Sequence, residues 1–396
     1  MAAPATAMSD RASFELADIV RAHGDTYRQT HPLALVQQQA LRAIAACRTA
    51  ALGGHTQTCD QCGAVRHAYN SCRNRHCPKC QGAAQATWLA ARQAELLPIP
   101  YFHVVFTLPH ALNALAQGNP RMLYTALFRA AADTLLTFGR DPRHLGGTIG
   151  VTAILHTWGQ NLSQHLHLHC VVTGGALTAE GTQWIAANPG FLFPVRALSP
   201  VFRAKYLEAL RNAFAHHALT FAAGTAELAD AQTFAQFLAD LRAVPWVVYA
   251  KPPFGGPAQV LAYLGRYTHR VALSNARLVD LHDGVVRFRW KDYADRDRVN
   301  VMALTADEFL RRFLLHIVPR GFMRIRHFGL LANRQRRSLI ASSRDVLAVS
   351  APDETAVSTV KDVAVVHCPV CRVGVMHVTA VLAPVSRLPS PAPDTS

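Results

Sequence analysis

The stretch Gln164-His165-Leu166-His167-Leu168-His169-Cys170-Val171-Val172 decides how this chain is read. Polar and apolar residues alternate with a period of two before an apolar run begins, which is the pattern of a β-strand. Successive side chains of a strand point to opposite faces. His165, His167 and His169 therefore share one face, and Leu166, Leu168, Cys170 and Val172 share the other. Same-face neighbours stand about 7 Å apart at Cα, so two adjacent imidazoles can reach one cation between them. The plain alternative is an exposed histidine-rich face, the usual state of a single histidine. Three on one face, backed by an aliphatic core, favour a metal site. Imidazole nitrogen suits Mn, Zn, Co or Ni, and accepts Mg where carboxylates or phosphates complete the shell.

Working outward, Thr148 to His156 reads as a second strand, and a turn around Gly159-Gln160-Asn161 makes it the antiparallel hairpin partner. Tyr101 to Thr107, Trp246 to Tyr249 and Val285 to Trp290 are further strands. Helical periodicity is expected over 13–22, 33–51, 82–97, 121–138, most of 199–242, and 306–317. Pro257 opens one more helix, running to about Ser274, with proline at the first position where its missing donor costs nothing. In it Tyr263 and Tyr267 are four residues apart, neighbours on one face at about 6 Å. Val260, Leu261, Leu264 and Val271 form its apolar stripe, and Gln259, Arg266 and Arg270 its other flank. A tyrosine pair at this spacing is most often core packing. Its place on the border with the arginines, in a chain that already carries a histidine strand, favours function.

Half of the 396 residues are hydrophobic and 16% are charged, which describes a globular chain rather than a disordered one. The formal net charge is +15, and only five of the 40 basic residues are lysine, the rest arginine. Such a field points to nucleic acid or an acidic membrane surface, and the arginine fork pairs bidentately with phosphate. The first ten residues lack a basic segment followed by an apolar one, and no run approaches 18 apolar residues. A cytosolic protein without a membrane span is expected.

Nine cysteines occur, five of them within 59–80 and two near the C-terminus. Cys59-x2-Cys62 and Cys77-x2-Cys80 have the spacing of two knuckles around one tetrahedral structural zinc. Cys72, His55, His67 and His76 are near enough to replace a ligand, Cys72 being the first alternative. Cys368-x2-Cys371 is a lone knuckle to which His367 or His377 could add ligands. Arg73, Arg75 and Lys79 form a basic surface beside the zinc segment, suited to phosphate contact or simply solvated. From Arg311 to Arg337, arginines including Arg324 and Arg326 interleave with Phe313, Phe322 and Phe328. That mixture fits a groove for single-stranded nucleic acid, or equally a solvated face over a phenylalanine core.

A histidine-held divalent ion can polarise a phosphoryl oxygen, and a nearby phenol can attack the phosphorus. The product would be a 5′-phosphotyrosyl ester and a free 3′-OH, and because the ester is preserved the strand could be rejoined.

These residues resemble a known family. His167-Leu168-His169 resembles the HUH motif and Tyr263-x3-Tyr267 its paired tyrosines. The segment Asn70-Ser71-Cys72-Arg73-Asn74-Arg75-His76-Cys77-Pro78-Lys79-Cys80-Gln81, with Tyr101 to His110, Tyr263 to Asn275 and Phe309 to Leu331, is similar to blocks of the rolling-circle transposases of bacterial insertion sequences, the IS-ninety-one family. The resemblance covers roughly 13–345. It implies an α+β fold, an HUH-endonuclease-like central antiparallel sheet flanked by helices and preceded by a zinc domain. The chain is expected to divide into a helical and zinc-binding domain at 1–98, a catalytic domain at 99–345, and a tail at 346–396 that carries the lone Cys368-x2-Cys371 and a Pro/Ser/Ala-rich, disordered end. The resemblance implies Tyr263 and Tyr267 as nucleophiles, His167 and His169 as ligands of Mg or Mn, and either His165, Gln160 or a distant residue as the third. Single-stranded DNA at the element's ends would be the substrate, and from the charge pattern of this chain Arg73, Arg75, Lys79, Arg266, Arg270, Arg324 and Arg326 are the candidate contacts. It leaves open a homo-oligomer, and it suggests a nucleoid-associated bacterial protein. Two other readings compete: a zinc-stabilised DNA-binding protein without chemistry, and a metal-dependent phosphodiesterase using water.

Overall fold

The computed structural model describes residues 14–222, 224–251, 253–256, 259–260, 262–263, 265, 272–292, 295–348 and 366–385. Its strands are β1 (Gly54–Cys59), β2 (Val65–Tyr69), β3 (Tyr101–Thr107), β4 (Gly150–Trp158), β5 (Gln164–Thr173), β6 (Gly175–Leu177), β7 (Trp184–Ala186), β8 (Val248–Lys251), β9 (Leu278–His282), β10 (Val285–Asp292), β11 (Arg298–Thr305), β12 (Ile325–Gly329) and β13 (Met376–Leu382). The chain divides into two units, each described by itself. One comprises Met1–Ala83, Leu273–Arg311 and Ser358–Ser396, the other Ala84–Ala272 and Arg312–Val357. The architecture is mixed α+β with antiparallel sheets flanked by helices, as expected. The boundaries differ from those read off the sequence. Residues 366–385 are no separate tail, because β13 pairs antiparallel with β1 in a sheet of order β13-β1-β2, while the end expected to be disordered lies outside the described residues from 386 on. Pairing between segments 300 residues apart leaves no local signal in either of them.

The second unit holds a five-stranded sheet of order β12-β4-β5-β3-β8, with every neighbour antiparallel. The histidine strand β5 is its centre. Leu166, Leu168, Cys170 and Val172 are wholly buried on one face. They pack with Phe106, Phe128, Phe202 and Tyr206 under the helices Pro120–Arg140 and Val195–Ala215. Each such leucine contributes about 2 kcal/mol of burial, and truncating Leu168 to alanine should cost roughly 2–5 kcal/mol. On the opposite face lies a smaller cluster containing Tyr101, Ile154, Val171, Val260, Tyr263 and Ile340. The helices Gln81–Gln93 and Arg336–Val346 contribute to it through Trp88, Leu89 and Ile340. Where described, residues 259–265 are helical as expected, and Val260 donates to the Gly256 carbonyl at 3.2 Å. Residues 266–271 of the expected helix, with Arg266, Tyr267 and Arg270, lie outside the described residues.

In the first unit the helices Leu16–Thr30 and Leu35–Ala46 pack together. The first runs eight residues beyond its expected end, stopping at His31 (φ −128°, ψ 134°), where Pro32 forbids helical backbone. The strands β9, β10 and β11 form a second antiparallel sheet, whose Val286 and Phe288 are buried near Phe309. Among the described residues no helix is long and apolar enough to cross a membrane.

Candidate active site and metal centres

The register of the central sheet assembles the site. On β4, His156 lies directly opposite His167 of β5, and Ile154 opposite His169. Side chains directly opposite in an antiparallel pair come within about 5 Å at Cβ. On β3, His103 pairs with Val171, which sets it diagonally beside His169, whose own partner is Val105. His156, His167 and His169 bring one ring nitrogen each to within 4.8 Å of one another, the cluster a cation would need. His156 enters this face through a bulge. Trp158 pairs with Gln164, and continuing that register would set His156 opposite Leu166. The register slips by one between His156 and Trp158, which turns His156 to the histidine face. Re-aiming a side chain in this way is a common use of bulges near functional sites.

Tyr263 is the other half of the site. Its Oη is 2.6 Å from His103 Nε2 and 3.0 Å from His169 Nδ1, and these two nitrogens are 3.0 Å apart. The ring is 7% exposed and sits against Phe254 and His103, with centroids 5.1 and 4.7 Å away. His167 donates Nδ1–H to the His165 carbonyl at 2.9 Å, which leaves the Nε2 lone pair to a cation. In His169 the nitrogen facing Tyr263 is Nδ1.

Burial keeps these imidazoles neutral. Desolvation pushes His167 down to about 3, with the neighbouring His165 adding to the effect. Burial likewise pushes His169 well below its ordinary value, helped by His156 and His167. His103 falls to about 4 through burial and the positive field of Lys251. Neutral rings are the form that binds metal. The donor set therefore fits a divalent cation: three imidazoles clustered on one sheet face with a phenol beside them. His165, the sequence candidate for third ligand, is not in the cluster. Its Nδ1 lies 3.1 Å from His110 Nε2 at the outer end of the strand. His156 lies in the cluster instead, and the missing signal was the bulge.

The four cysteines expected to share one zinc do not come together. Cys77 and Cys80 cluster with Cys47 and Cys72, whereas Cys59 and Cys62 cluster with Cys368 and Cys371. The reason is geometric. The first knuckle ends β1 and lies beside the start of β13, while the second follows a loop that returns to the end of the Leu35–Ala46 helix. In the first cluster, Cys47 Sγ is 3.5 Å from Cys80 and 3.7 Å from Cys77, and Cys72 is 3.5 Å from Cys80. A tetrahedral ion with bonds of about 2.3 Å sets its sulfurs about 3.8 Å apart, so the fit is close. Hydrogen bonds from Cys72 and Cys77 hold the Cys47 thiol far below its ordinary value. Cys47 is a single cysteine capping a helix, and so carries no spacing signature. Replacing Cys47 with alanine is expected to release one zinc per chain and expose the 47–80 segment to proteases. Unchanged zinc content by elemental analysis would refute its role.

The candidate DNA contacts are spread differently from the expectation. Arg73 is exposed, with φ 52°. Lys79 is tied to Glu15 at 2.5 Å. The Arg326 guanidinium lies over Phe128 and Phe322, 4.4 and 4.9 Å from their centroids, and reaches Thr125 Oγ1 at 3.3 Å. Arg326 is thus packed rather than presented. Arg75 and Arg324 are half-buried.

Comparisons with known proteins bear on both regions. Residues 19–108 match a family described as "Transposase zinc-binding domain", and residues 150–338 one described as "Putative transposase". The chain is 53% identical over 377 residues to "Putative transposase y4qJ" of Sinorhizobium fredii, covering 92% of this chain and 95% of that protein. It is 28% identical over 326 residues to "Transposase for insertion sequence element IS801" of Pseudomonas savastanoi pv. phaseolicola, covering 81% of this chain and 76% of that one. No solved structure matches the chain.

Proposed function

The chain belongs to the insertion-sequence transposases of the IS-ninety-one family, and from that premise we propose that it cuts and rejoins single-stranded DNA in rolling-circle transposition, through a 5′-phosphotyrosine formed at Tyr263. The observation that carries this reading is the Tyr263 hydroxyl 3.0 Å from His169, one of three clustered histidines. A divalent cation held by His156, His167 and His169, Mg or Mn with phosphate oxygens completing its shell, would polarise the scissile phosphoryl group and stabilise charge on the leaving oxygen.

The chain's own residues supply the rest. One assignment of ring protons satisfies the three-way contact at Tyr263: the hydroxyl donates to His103 Nε2, and His169 donates Nδ1–H to Oη. That holds the phenol oxygen toward the histidine face and leaves His169 Nε2 as a ligand. Oη then forms a bond to phosphorus as the bond to the 3′ oxygen breaks. The phenol loses its proton in this step and the 3′ oxygen gains one. The ester count is unchanged, so a 3′-OH from another strand can reverse the step and release Tyr263. Tyr267, four residues on, is the second acceptor in this scheme, able to hold one end while the other is cut. Neutral histidines, a sheet that fixes them and a strongly basic chain all support DNA as the substrate.

The test is a labelled single-stranded oligonucleotide from the element's end, incubated with the protein and Mn. A denaturation-resistant adduct on the 5′ phosphate of the fragment downstream of the cut, sensitive to phosphotyrosine hydrolysis, is expected. Cleavage with no adduct would indicate a water nucleophile. Binding without cleavage by freshly purified, metal-loaded protein would indicate a DNA-binding protein that has lost its chemistry.

A further inference from the structure

The cluster of Cys59, Cys62, Cys368 and Cys371 lies only half within the matched zinc domain. That match ends at residue 108, and the second match ends at 338, so neither reaches Cys368 or Cys371. Yet the two knuckles have the same build. In each, the amide two residues after the first cysteine donates to its sulfur: Gln61 to Cys59 and Val370 to Cys368, both at 3.4 Å. In each, the amide following the second cysteine closes on the first cysteine's carbonyl, Gly63 at 3.2 Å and Arg372 at 2.9 Å. Both closing residues have positive φ, 69° and 62°. Gly374 donates to Cys371 Sγ at 3.3 Å, and a Cβ there would stand 2.4 Å from Cys59 Sγ. Amides aimed at sulfur stabilise thiolates, and a turn of this kind points two of them at one ion.

Across the pair, Cys59 Sγ is 3.7 Å from Cys371, and Cys62 Sγ is 3.6 Å from Cys368. These separations are far too long for disulfides and close to the ~3.8 Å of a four-thiolate zinc. Backbone pairing continues outward from the site. Asp60 and Val375 exchange bonds through the Asp60 amide at 3.1 Å and carboxylate at 2.8 Å, and β13 then follows β1 from Cys59 opposite Met376 to Gly54 opposite Leu382.

We propose that Cys59, Cys62, Cys368 and Cys371 form a second structural zinc site, distinct from the Cys47 site, which fastens the C-terminal strand to the N-terminal domain. The zinc-binding domain is then incomplete as matched. It closes only once Cys371 has been synthesised, and the intervening residues form a loop whose two ends one ion joins. The entropy lost in closing a loop grows only with the logarithm of its length, so the long separation is little obstacle to four thiolate bonds.

Cobalt substitution reads this directly, because thiolate ligands give cobalt charge-transfer bands and a histidine site gives none. Apo protein titrated with Co²⁺ should saturate that band at two equivalents per chain, matching the two four-cysteine clusters. The double variant Cys368→Ser with Cys371→Ser should saturate at one. Adding Cys59→Ser and Cys62→Ser to it should remove nothing more, since all four serve one ion. Limited proteolysis should release the 366–385 segment readily from the double variant, and from the unaltered chain only after a chelator. The retained Cys47 site is an internal control for folding, and the unaltered chain alone decides the count if the variant fails to fold. Saturation at one equivalent in the unaltered chain, an undiminished band in the double variant, or a Cys62–Cys368 disulfide found by non-reducing mass analysis would each overturn the proposal.

Discussion

Replacing Tyr263 with phenylalanine should lower formation of the covalent protein–DNA adduct by at least ~10³-fold, corresponding to about 4 kcal/mol of lost transition-state stabilisation. The substitution removes one atom. Tyr263 is buried against Val260, Phe254 and His103, and a phenylalanine ring keeps those contacts. The local cost is confined to His103 Nε2 and His169 Nδ1, which lose the hydroxyl but remain 3.0 Å from each other. A stability loss of about 1–2 kcal/mol is expected, too little to unfold the unit. Binding of single-stranded DNA, measured at fixed salt, should be almost unchanged, since the hydroxyl contributes no charge. Adduct formation at the normal rate by the phenylalanine variant would exclude Tyr263 and transfer the nucleophile's role to Tyr267.

The second large effect separates two histidines that look alike in sequence. His156→Ala should reduce cleavage by roughly 10²–10³-fold, partly restored by raised Mn, because a cation site that loses one of three nitrogens binds more weakly. His165→Ala should stay within about threefold of the unaltered protein. The contrast rests on placement. His156 faces His167 across the β4–β5 ladder and is 3% exposed, whereas His165 pairs with His110 at the strand's outer end. His167→Ala and His169→Ala should be at least as damaging as His156→Ala. A His165 variant as impaired as His156→Ala would sink this assignment. Steady-state cleavage of the end oligonucleotide across a Mn titration measures all four.

Some of this was determined by local sequence alone. Alternation of histidine and leucine defines a strand with two chemically different faces, because the side-chain period of two admits no other arrangement. Tyr263 on a helix and Tyr101 to Thr107 as a buried strand follow from the same kind of local periodicity. The pairing of knuckles with thiolate chemistry also needs nothing beyond spacing. What tertiary structure decided were the partners. A single bulge between His156 and Trp158 sets which face of β4 carries a ligand, and one-residue slips have no compositional signature. His103 joined the site because β3 lies beside β5, a neighbour relation between strands some 60 residues apart. The cysteine sets were rearranged for the same reason. Spacing within a knuckle is local and readable, but which knuckle meets which depends on β1 pairing with β13, a contact whose energy is spread over the whole ladder rather than written in either segment.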